Sequence, residues 1–107
     1  MTTTQPNAIA WLQYRDTEWR QKLAKLPAHM HRGVSEYVAF GWPTGGFLTE
    51  VFSNRLIHAF RQADDENLKA MREWAAFVYW DVPASCQGSP EKVAAWQAQG
   101  GLRGVAP

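Results

Sequence analysis

The sequence predicts an all-α fold, a compact bundle of about five short to medium helices that form one domain over residues 1–107. Three observations predict this fold. Apolar residues recur every three or four positions, residues typical of helix caps separate these stretches, and no stretch alternates polar and apolar residues as a strand would. A chain of 107 residues is long enough to form a hydrophobic core without disulfides or metal ions.

The first helix is predicted over residues 6–25, after a polar N-terminal segment, residues 1–5, that we expect to be flexible. Pro6 suits a first helical turn because an N–H at that position would have no partner within the helix. The other face of this helix is charged, which is typical of a helix that lies on a core. The apolar residues that mark its buried face are Ala8, Leu12, Trp19 and Leu23.

The second helix is predicted over residues 27–40. Pro27 restarts the chain because the residue before a proline is pushed out of helical geometry. Gly41 ends the helix, since glycine readily adopts the left-handed conformation that follows many helix C-termini.

A third helix is predicted to begin at residue 46 or 47 and to carry a break near Ser53-Asn54, because Asn54 is a suitable cap for a continuation. A fourth is predicted over residues 64–80. It starts at Asp64-Asp65-Glu66, which offers a side-chain acceptor to the first N–H groups and places negative charge at the positive end of the helix dipole.

The chain is then predicted to form a loop over residues 81–88 and a last short helix opened by Ser89-Pro90-Glu91. Residues 100–107 begin with Gly100-Gly101, and we expect them to form a flexible C-terminal tail. The predicted helices are therefore joined by short connections.

Composition and charge limit the classes of partner. The formal net charge is +1, whereas a generic nucleic-acid binder carries a basic excess. Nucleic acid is therefore disfavoured, although the basic residues between Arg15 and Arg32 leave a DNA-binding helical module open. The one cysteine, Cys86, excludes an internal disulfide, and no stretch has the pattern of a secretory signal or a membrane span. We expect a cytoplasmic protein with no membrane partner.

The turn after the second helix is the strongest candidate for a ligand site. Its two glycines precede a helix, so backbone N–H groups there can form a concavity that suits a phosphate or carboxylate. Its tryptophan can stack on a base, and polar residues two turns further on can orient the rest of a ligand. The alternative is a plain reversal between helices with that tryptophan in the core. The predicted ligand-binding residues are Trp42, Thr44, Gly45, Gly46, Asn54 and Arg55.

The six tryptophans exceed what a minimal core needs. Some are therefore expected to line a pocket or a subunit interface, and the aromatic content leads us to expect a homo-oligomer. Core packing is the alternative for most of them. The predicted interface residues are Trp11, Trp74, Trp80 and Trp96.

No residue pattern predicts catalysis or metal binding. His29 and His31 are two positions apart on a predicted helix, so they point in different directions and cannot share a metal ion through it. Cys86 has no histidine nearby in the sequence and is expected to be a buried thiol. We therefore expect no enzymatic activity, no metal ion and no cofactor.

From about Leu26 to Trp96 the chain resembles a family of small proteins encoded by phages and prophages. It departs from the family pattern at Arg55, where an acid is more usual, at Gln87, where an aromatic residue is expected, and at Trp80-Asp81. The residues that carry the resemblance are Tyr37, Gly41, Pro43, Gly45-Gly46-Phe47-Leu48, Val51, Asn54, Leu56, Ala59, Ala63-Asp64-Asp65-Glu66-Asn67, Phe77, Tyr79, Pro83, Cys86, Gly88-Ser89-Pro90-Glu91 and Trp96.

The resemblance implies a viral protein that acts in the cytoplasm of a host cell, where small non-enzymatic phage proteins commonly blunt host immunity. One hypothesis is a non-catalytic anti-defence protein that sequesters a small nucleotide-derived signal, with Trp42 on the base and the Gly45-Gly46 turn around phosphate. The alternative is an inhibitor that binds a host defence protein through an aromatic surface, as anti-CRISPR proteins do.

Overall fold

A computed structural model describes residues 7–104. These residues contain helices and no strand, so the predicted all-α fold is confirmed, whereas the predicted number of about five helices is too low. Two 3₁₀ turns, Ala28–Met30 and Ala84–Cys86, also occur. The eight α-helices within the described residues are α1 (Ala8–Arg15), α2 (Trp19–Leu23), α3 (His31–Phe40), α4 (Gly46–Phe52), α5 (Leu56–Gln62), α6 (Asp65–Lys69), α7 (Met71–Trp80) and α8 (Pro90–Gln99).

The higher number arises because three predicted helices are each divided in two. The predicted helix over residues 6–25 is interrupted at Asp16, whose backbone is extended. Asp16 Oδ1 accepts the Glu18 N–H at 3.0 Å, and Asp16 Oδ2 pairs with Lys22 Nζ at 2.6 Å. Such local side-chain bonds compete with helical hydrogen bonding. The predicted helix over residues 64–80 is divided at Ala70, and the expected break after α4 is confirmed.

Helix ends are confirmed where the signal is local in sequence. Gly41 follows α3 in the left-handed conformation, with φ of 69°. Asp64 accepts the Asn67 N–H at 2.8 Å and Ser89 accepts the Lys92 N–H at 3.1 Å, so both are N-caps. These residues therefore fix where α3 ends and where α6 and α8 begin.

Three buried tryptophans join the helices in the core. Each donates its indole N–H to a buried partner, as buried polar groups generally must. The pairs are Trp19 Nε1 to Ser35 Oγ at 3.0 Å, Trp74 Nε1 to Asn67 Oδ1 at 3.1 Å and Trp96 Nε1 to Tyr37 O at 2.9 Å.

Residues 100–104 were predicted to be part of a flexible tail. Instead, they pack against the end of α3. The N–H groups of Leu102 and Arg103 donate to the carbonyls of Val38 and Ala39, at 3.0 and 2.8 Å. The predicted flexible tail was residues 100–107; its last three residues, 105–107, and the predicted flexible segment at residues 1–5 lie outside the described residues.

Gly41 and Gly101 cross in direct backbone contact. Both have a positive φ, 69° and 68°. A Cβ on Gly41 would lie 2.6 Å from Gly101 N, so neither position has room for a side chain. This crossing holds the chain that follows α8 against the C-terminal end of α3.

Candidate functional site

A groove of about 260 Å³ lies between α7 and the α4–α5 pair. Trp74 is buried at its floor, and its apolar wall includes Val51, Ala59, Met71 and Val78. This is a concave, largely apolar feature, which is typical of binding sites.

The short helix α5 turns most of its apolar side chains away from the core. Ala59 is its one buried residue, whereas Ile57 is 73% exposed and Phe60 is 45% exposed. Phe60 is a surface neighbour of both Leu56 and Ile57, because residues three and four apart are adjacent on a helix. Leu56 also lines the groove. Tyr79 lies across the groove from Leu56 and is also exposed. We call Leu56, Ile57, Phe60 and Tyr79 the apolar surface.

Glu50 and Arg55 form a polar end of the groove. Glu50 Oε2 is buried and lies 3.3 Å from Arg55 Nε, which is an ion-pair distance. The geometry is not that of a hydrogen bond, so this oxygen has no hydrogen-bond partner among residues 7–104. Arg55 Nη2 also contacts His58 Nε2 at 3.1 Å. A donor on a bound molecule would satisfy the carboxylate oxygen.

Asn54 lies at this end of the groove, and its backbone conformation ends α4. It has a φ of 62°. The Arg55 N–H donates to Glu50 O at 2.9 Å and the Asn54 N–H donates to Val51 O at 3.2 Å. These two hydrogen bonds form a Schellman motif, in which the residue after the helix adopts the left-handed conformation. Asn54 therefore ends α4 as well as lining the groove.

The glycine turn lies at the opposite end of α4. Trp42 is half-buried there, with its ring centroid 5.1 Å from that of Phe40. Thr44 Oγ1 lies 2.7 Å from Thr49 Oγ1, so a hydrogen bond within the protein uses its hydroxyl. The indole and the hydroxyl of the turn thus already have partners within the protein.

The structure separates the predicted ligand-binding residues into two groups. The seven residues of α4 place about 10 Å between its two ends. One group is at the N-terminal end and the other is in the groove at the C-terminal end. The first contains Trp42, Thr44, Gly45 and Gly46, and the second contains Asn54 and Arg55.

The four predicted interface tryptophans have different environments. Trp74 and Trp96 are only 1% and 2% exposed and belong to the core. Trp11 is half-buried. Trp80 is 76% exposed, and its ring centroid lies 4.6 Å from that of Tyr79 in an edge-to-face arrangement. Trp80 is therefore the residue of this set that is most accessible to a partner.

The histidines and the cysteine lie apart from one another in the described part of the chain, and none belongs to a cluster that could hold a metal ion. His29 Nε2 pairs with Asp64 Oδ2 at 2.8 Å. Within residues 7–104, no three His, Cys, Asp or Glu side chains are placed to hold a metal ion. Cys86 is buried as predicted, and burial raises the pKa of its thiol to about 12, so it stays protonated near neutral pH.

None of the helices in the described part of the chain combines the length and hydrophobicity that a membrane span requires.

Sequence reasoning missed the apolar surface, although a signal was present. Leu56, Ile57 and Phe60 spread around a helix that is seven residues long, and such a helix buries one narrow stripe. Arg55 and Gln87 both line the groove.

Comparison of the chain with models of protein families, with characterised proteins and with solved structures gives no match.

Proposed function

We propose that the protein is a non-catalytic, phage-type anti-defence inhibitor that binds a host defence protein through the apolar surface. The observation that supports this proposal is the exposure of Leu56, Ile57 and Phe60 on α5, beside a groove. Contiguous exposed apolar side chains mark interaction sites on soluble proteins. The phage context comes from the sequence resemblance alone.

The apolar surface has the composition of an interface centre. It combines two aliphatic side chains with a phenylalanine and a tyrosine, and aromatic residues dominate many interface hot spots. Complete burial of such a side chain in an interface contributes about 1.5–3 kcal/mol to the free energy of association. Ile57 and Tyr79, at 73% and 72% exposure, would each contribute a large part of that value. A partner that covers all four residues would therefore gain several kcal/mol towards the cost of association.

The groove suits a protein side chain better than a nucleotide. Its volume of about 260 Å³ is below the roughly 300–1,000 Å³ of typical small-molecule sites. Arg55 lies beside the Glu50 carboxylate, so its charge is already compensated before any phosphate arrives. Sequestration of a nucleotide-derived signal is thus the weaker proposal, because the glycine turn and Arg55 are also about 10 Å apart.

The test is phage plating on strains that each carry one defined defence system and express the full chain. We expect the chain to restore phage plating on at least one of these strains. A protein component of the defence system in that strain should then co-purify with the chain. Ile57→Asp should abolish both effects, because a carboxylate in the middle of the apolar surface would have to be desolvated on binding. Tyr14→Asp is the matched control, since Tyr14 is 89% exposed on α1.

Two results would contradict the proposal. Restored plating that survives Ile57→Asp would show that another surface acts. Restored plating by a chain that carries a few hundred daltons in native mass spectra, lost on denaturation, would support sequestration of a small signal. Loss of plating with Tyr14→Asp as well as Ile57→Asp would show a general effect of the substitutions on folding. The same spectra test the expected homo-oligomer.

A further inference from the structure

We propose that the groove receives one uncharged aromatic side chain of the partner, a tryptophan or a tyrosine, whose N–H or O–H group donates to the Glu50 carboxylate. The apolar surface then packs around this anchor. The inference rests on the proposed function and names the chemistry of the partner at the same site.

The charge of the groove favours an uncharged occupant. Among the described residues that line the groove, Glu50 is the one acid and Arg55 is the one base, and their side chains lie 3.3 Å apart. The two charges therefore compensate each other. A lysine, an arginine or a carboxylate that entered the groove would lose its hydration without meeting an unpaired opposite charge, which is costly.

The Glu50 carboxylate nevertheless needs a hydrogen-bond donor. Its Oε2 atom is buried and accepts no hydrogen bond from residues 7–104. The Glu50 side chain keeps 18% of its surface exposed and lines the groove, so a donor on an occupant can reach the carboxylate. Hydrogen bonds to an ionised acceptor are stronger than those between neutral groups. The occupant should therefore carry an N–H or O–H group.

The rest of the lining selects the body of that occupant. Trp74 forms the floor, and Val51, Ala59 and Met71 belong to the apolar walls. An apolar cavity of roughly 150 Å³ holds a benzene ring, so the groove, at about 260 Å³, has room for a phenol or an indole. Tryptophan and tyrosine combine a large apolar body with one donor at its edge, and both are frequent interface anchors. Phenylalanine or leucine would leave the carboxylate without a donor.

The experiment is a titration of the full isotope-labelled chain with capped amino acids, followed by the chemical shifts of its backbone amides. N-acetyltryptophanamide should bind saturably, with the largest shifts at residues that line the groove. The analogue methylated on the indole nitrogen keeps the apolar body but lacks the N–H donor. Its dissociation constant should be about threefold to tenfold higher. N-acetyltyrosinamide and N-acetylphenylalaninamide form a second pair, in which the phenylalanine derivative should bind more weakly for the same reason.

A substitution at the acceptor supplies the matched test on the protein. Glu50→Gln removes the ionised acceptor and should bring the dissociation constants of the two tryptophan ligands to within about twofold of each other. Glu36→Gln is the control, because Glu36 is 20% exposed and is also paired with an arginine, Arg32, but does not line the groove. It should leave the preference for the N–H group unchanged. If Glu50→Gln does not fold, the two ligands on the wild-type chain still decide the result.

The failures are distinguishable from failure of the proposed function. Equal dissociation constants for the two tryptophan ligands on the wild-type chain would overturn the hydrogen bond to Glu50. Tighter binding of N-acetyllysinamide or N-acetylargininamide in the groove would overturn the uncharged occupant, and no shift at the groove with any aromatic ligand would overturn the anchor. Groove signals that shift with protein concentration alone would identify a second copy as the occupant and overturn the inference. In each case, plating with Ile57→Asp still decides whether the apolar surface acts.

Discussion

Asn54 ends α4 through its left-handed backbone and also lines the groove through its side chain. Its positive φ is costly for a residue with a Cβ, although asparagine tolerates it better than most. Its side chain makes no hydrogen bond within residues 7–104 and lines the groove. The backbone role and the side-chain role can therefore be separated by substitution.

Asn54→Gly should stabilise the protein by about 0.5–1 kcal/mol, because glycine adopts the left-handed conformation without a steric cost. Urea unfolding followed by circular dichroism measures the change. Arg61→Gly, also on the surface but in the helix α5, is the control and should destabilise by about 1 kcal/mol. A loss of stability with Asn54→Gly would show that the asparagine side chain makes a stabilising contact.

Cys86 should report on opening of the core. Its thiol is buried and its pKa is raised to about 12 by that burial, so a disulfide reagent at pH 8 should react very slowly with the native protein and rapidly after denaturation. The measurement is the absorbance of the released thiolate against time. Rapid reaction under native conditions would reveal local opening of the turn at Ala84–Cys86.

At the scale of elements, helix ends were predictable where a residue acts on its immediate neighbours. Gly41, Asp64 and Ser89 end or begin helices through bonds within about four residues, and the sequence contains that information. The interruption at Asp16 needs Lys22 as well as Glu18, and apolar spacing alone does not show it. Docking of residues 100–104 on α3 depends on contacts between distant parts of the chain.

The crossing of Gly41 and Gly101 should be intolerant of any side chain. Gly101→Ala is expected to destabilise the protein by about 2–5 kcal/mol, because a left-handed alanine is strained and its Cβ would clash with the backbone of Phe40 and Gly41. Gly33→Ala is the matched control. A Cβ at Gly33 would meet only Leu48 Cδ1 at 3.5 Å, so helix propensity should stabilise that variant by about 1 kcal/mol. Thermal unfolding of both variants gives the comparison.

The N-cap of α6 should make stability depend on pH in the acid range. The Asn67 N–H and then the His29 side chain hold the pKa of Asp64 below its ordinary value. A carboxylate with a lowered folded-state pKa stabilises the protein above its unfolded pKa, and that contribution is lost as the pH falls through the folded pKa. The loss should therefore occur below about pH 4.

Asp64→Asn isolates this effect, since asparagine also caps helices but does not titrate. As the pH is lowered from about 5 to 2, the melting temperature of the wild type should fall further than that of the variant. Asp16, whose pKa is lowered by its hydrogen bond from Lys22, titrates in both proteins and cancels in the difference. Parallel curves would show that Asp64 contributes nothing to the pH dependence.

For the whole molecule, the fold was more predictable than the site. The helical pattern identified the class of fold because it repeats along the chain. The candidate site depends on how α5 and α7 are placed relative to α4. The spacing of apolar residues along the sequence does not specify that placement. Asn54 and Arg55 both line the groove because they are adjacent in the sequence, whereas the length of α4 separates the glycine turn from them.

The apolar surface should contribute little to the stability of the isolated chain. Ile57→Lys is expected to change the free energy of unfolding by less than about 0.5 kcal/mol, because Ile57 is exposed and substitutions at such positions are usually near neutral. Phe77→Ala, at a fully buried position, should cost about 3–5 kcal/mol. Equal losses in urea unfolding would mean that Ile57 packs within the monomer.

The positions of the tryptophans give the protein a built-in optical reporter. Trp74 is sealed beneath the groove, while Trp80 is solvated beside Tyr79 at the end of α7. An occupant of the groove would cover Tyr79, the neighbour of the Trp80 ring, without reaching Trp19 or Trp96 in the core. Emission from Trp80 should therefore shift to shorter wavelength on complex formation, and Trp80→Phe should remove the shift. Titrations can then follow the unlabelled protein directly.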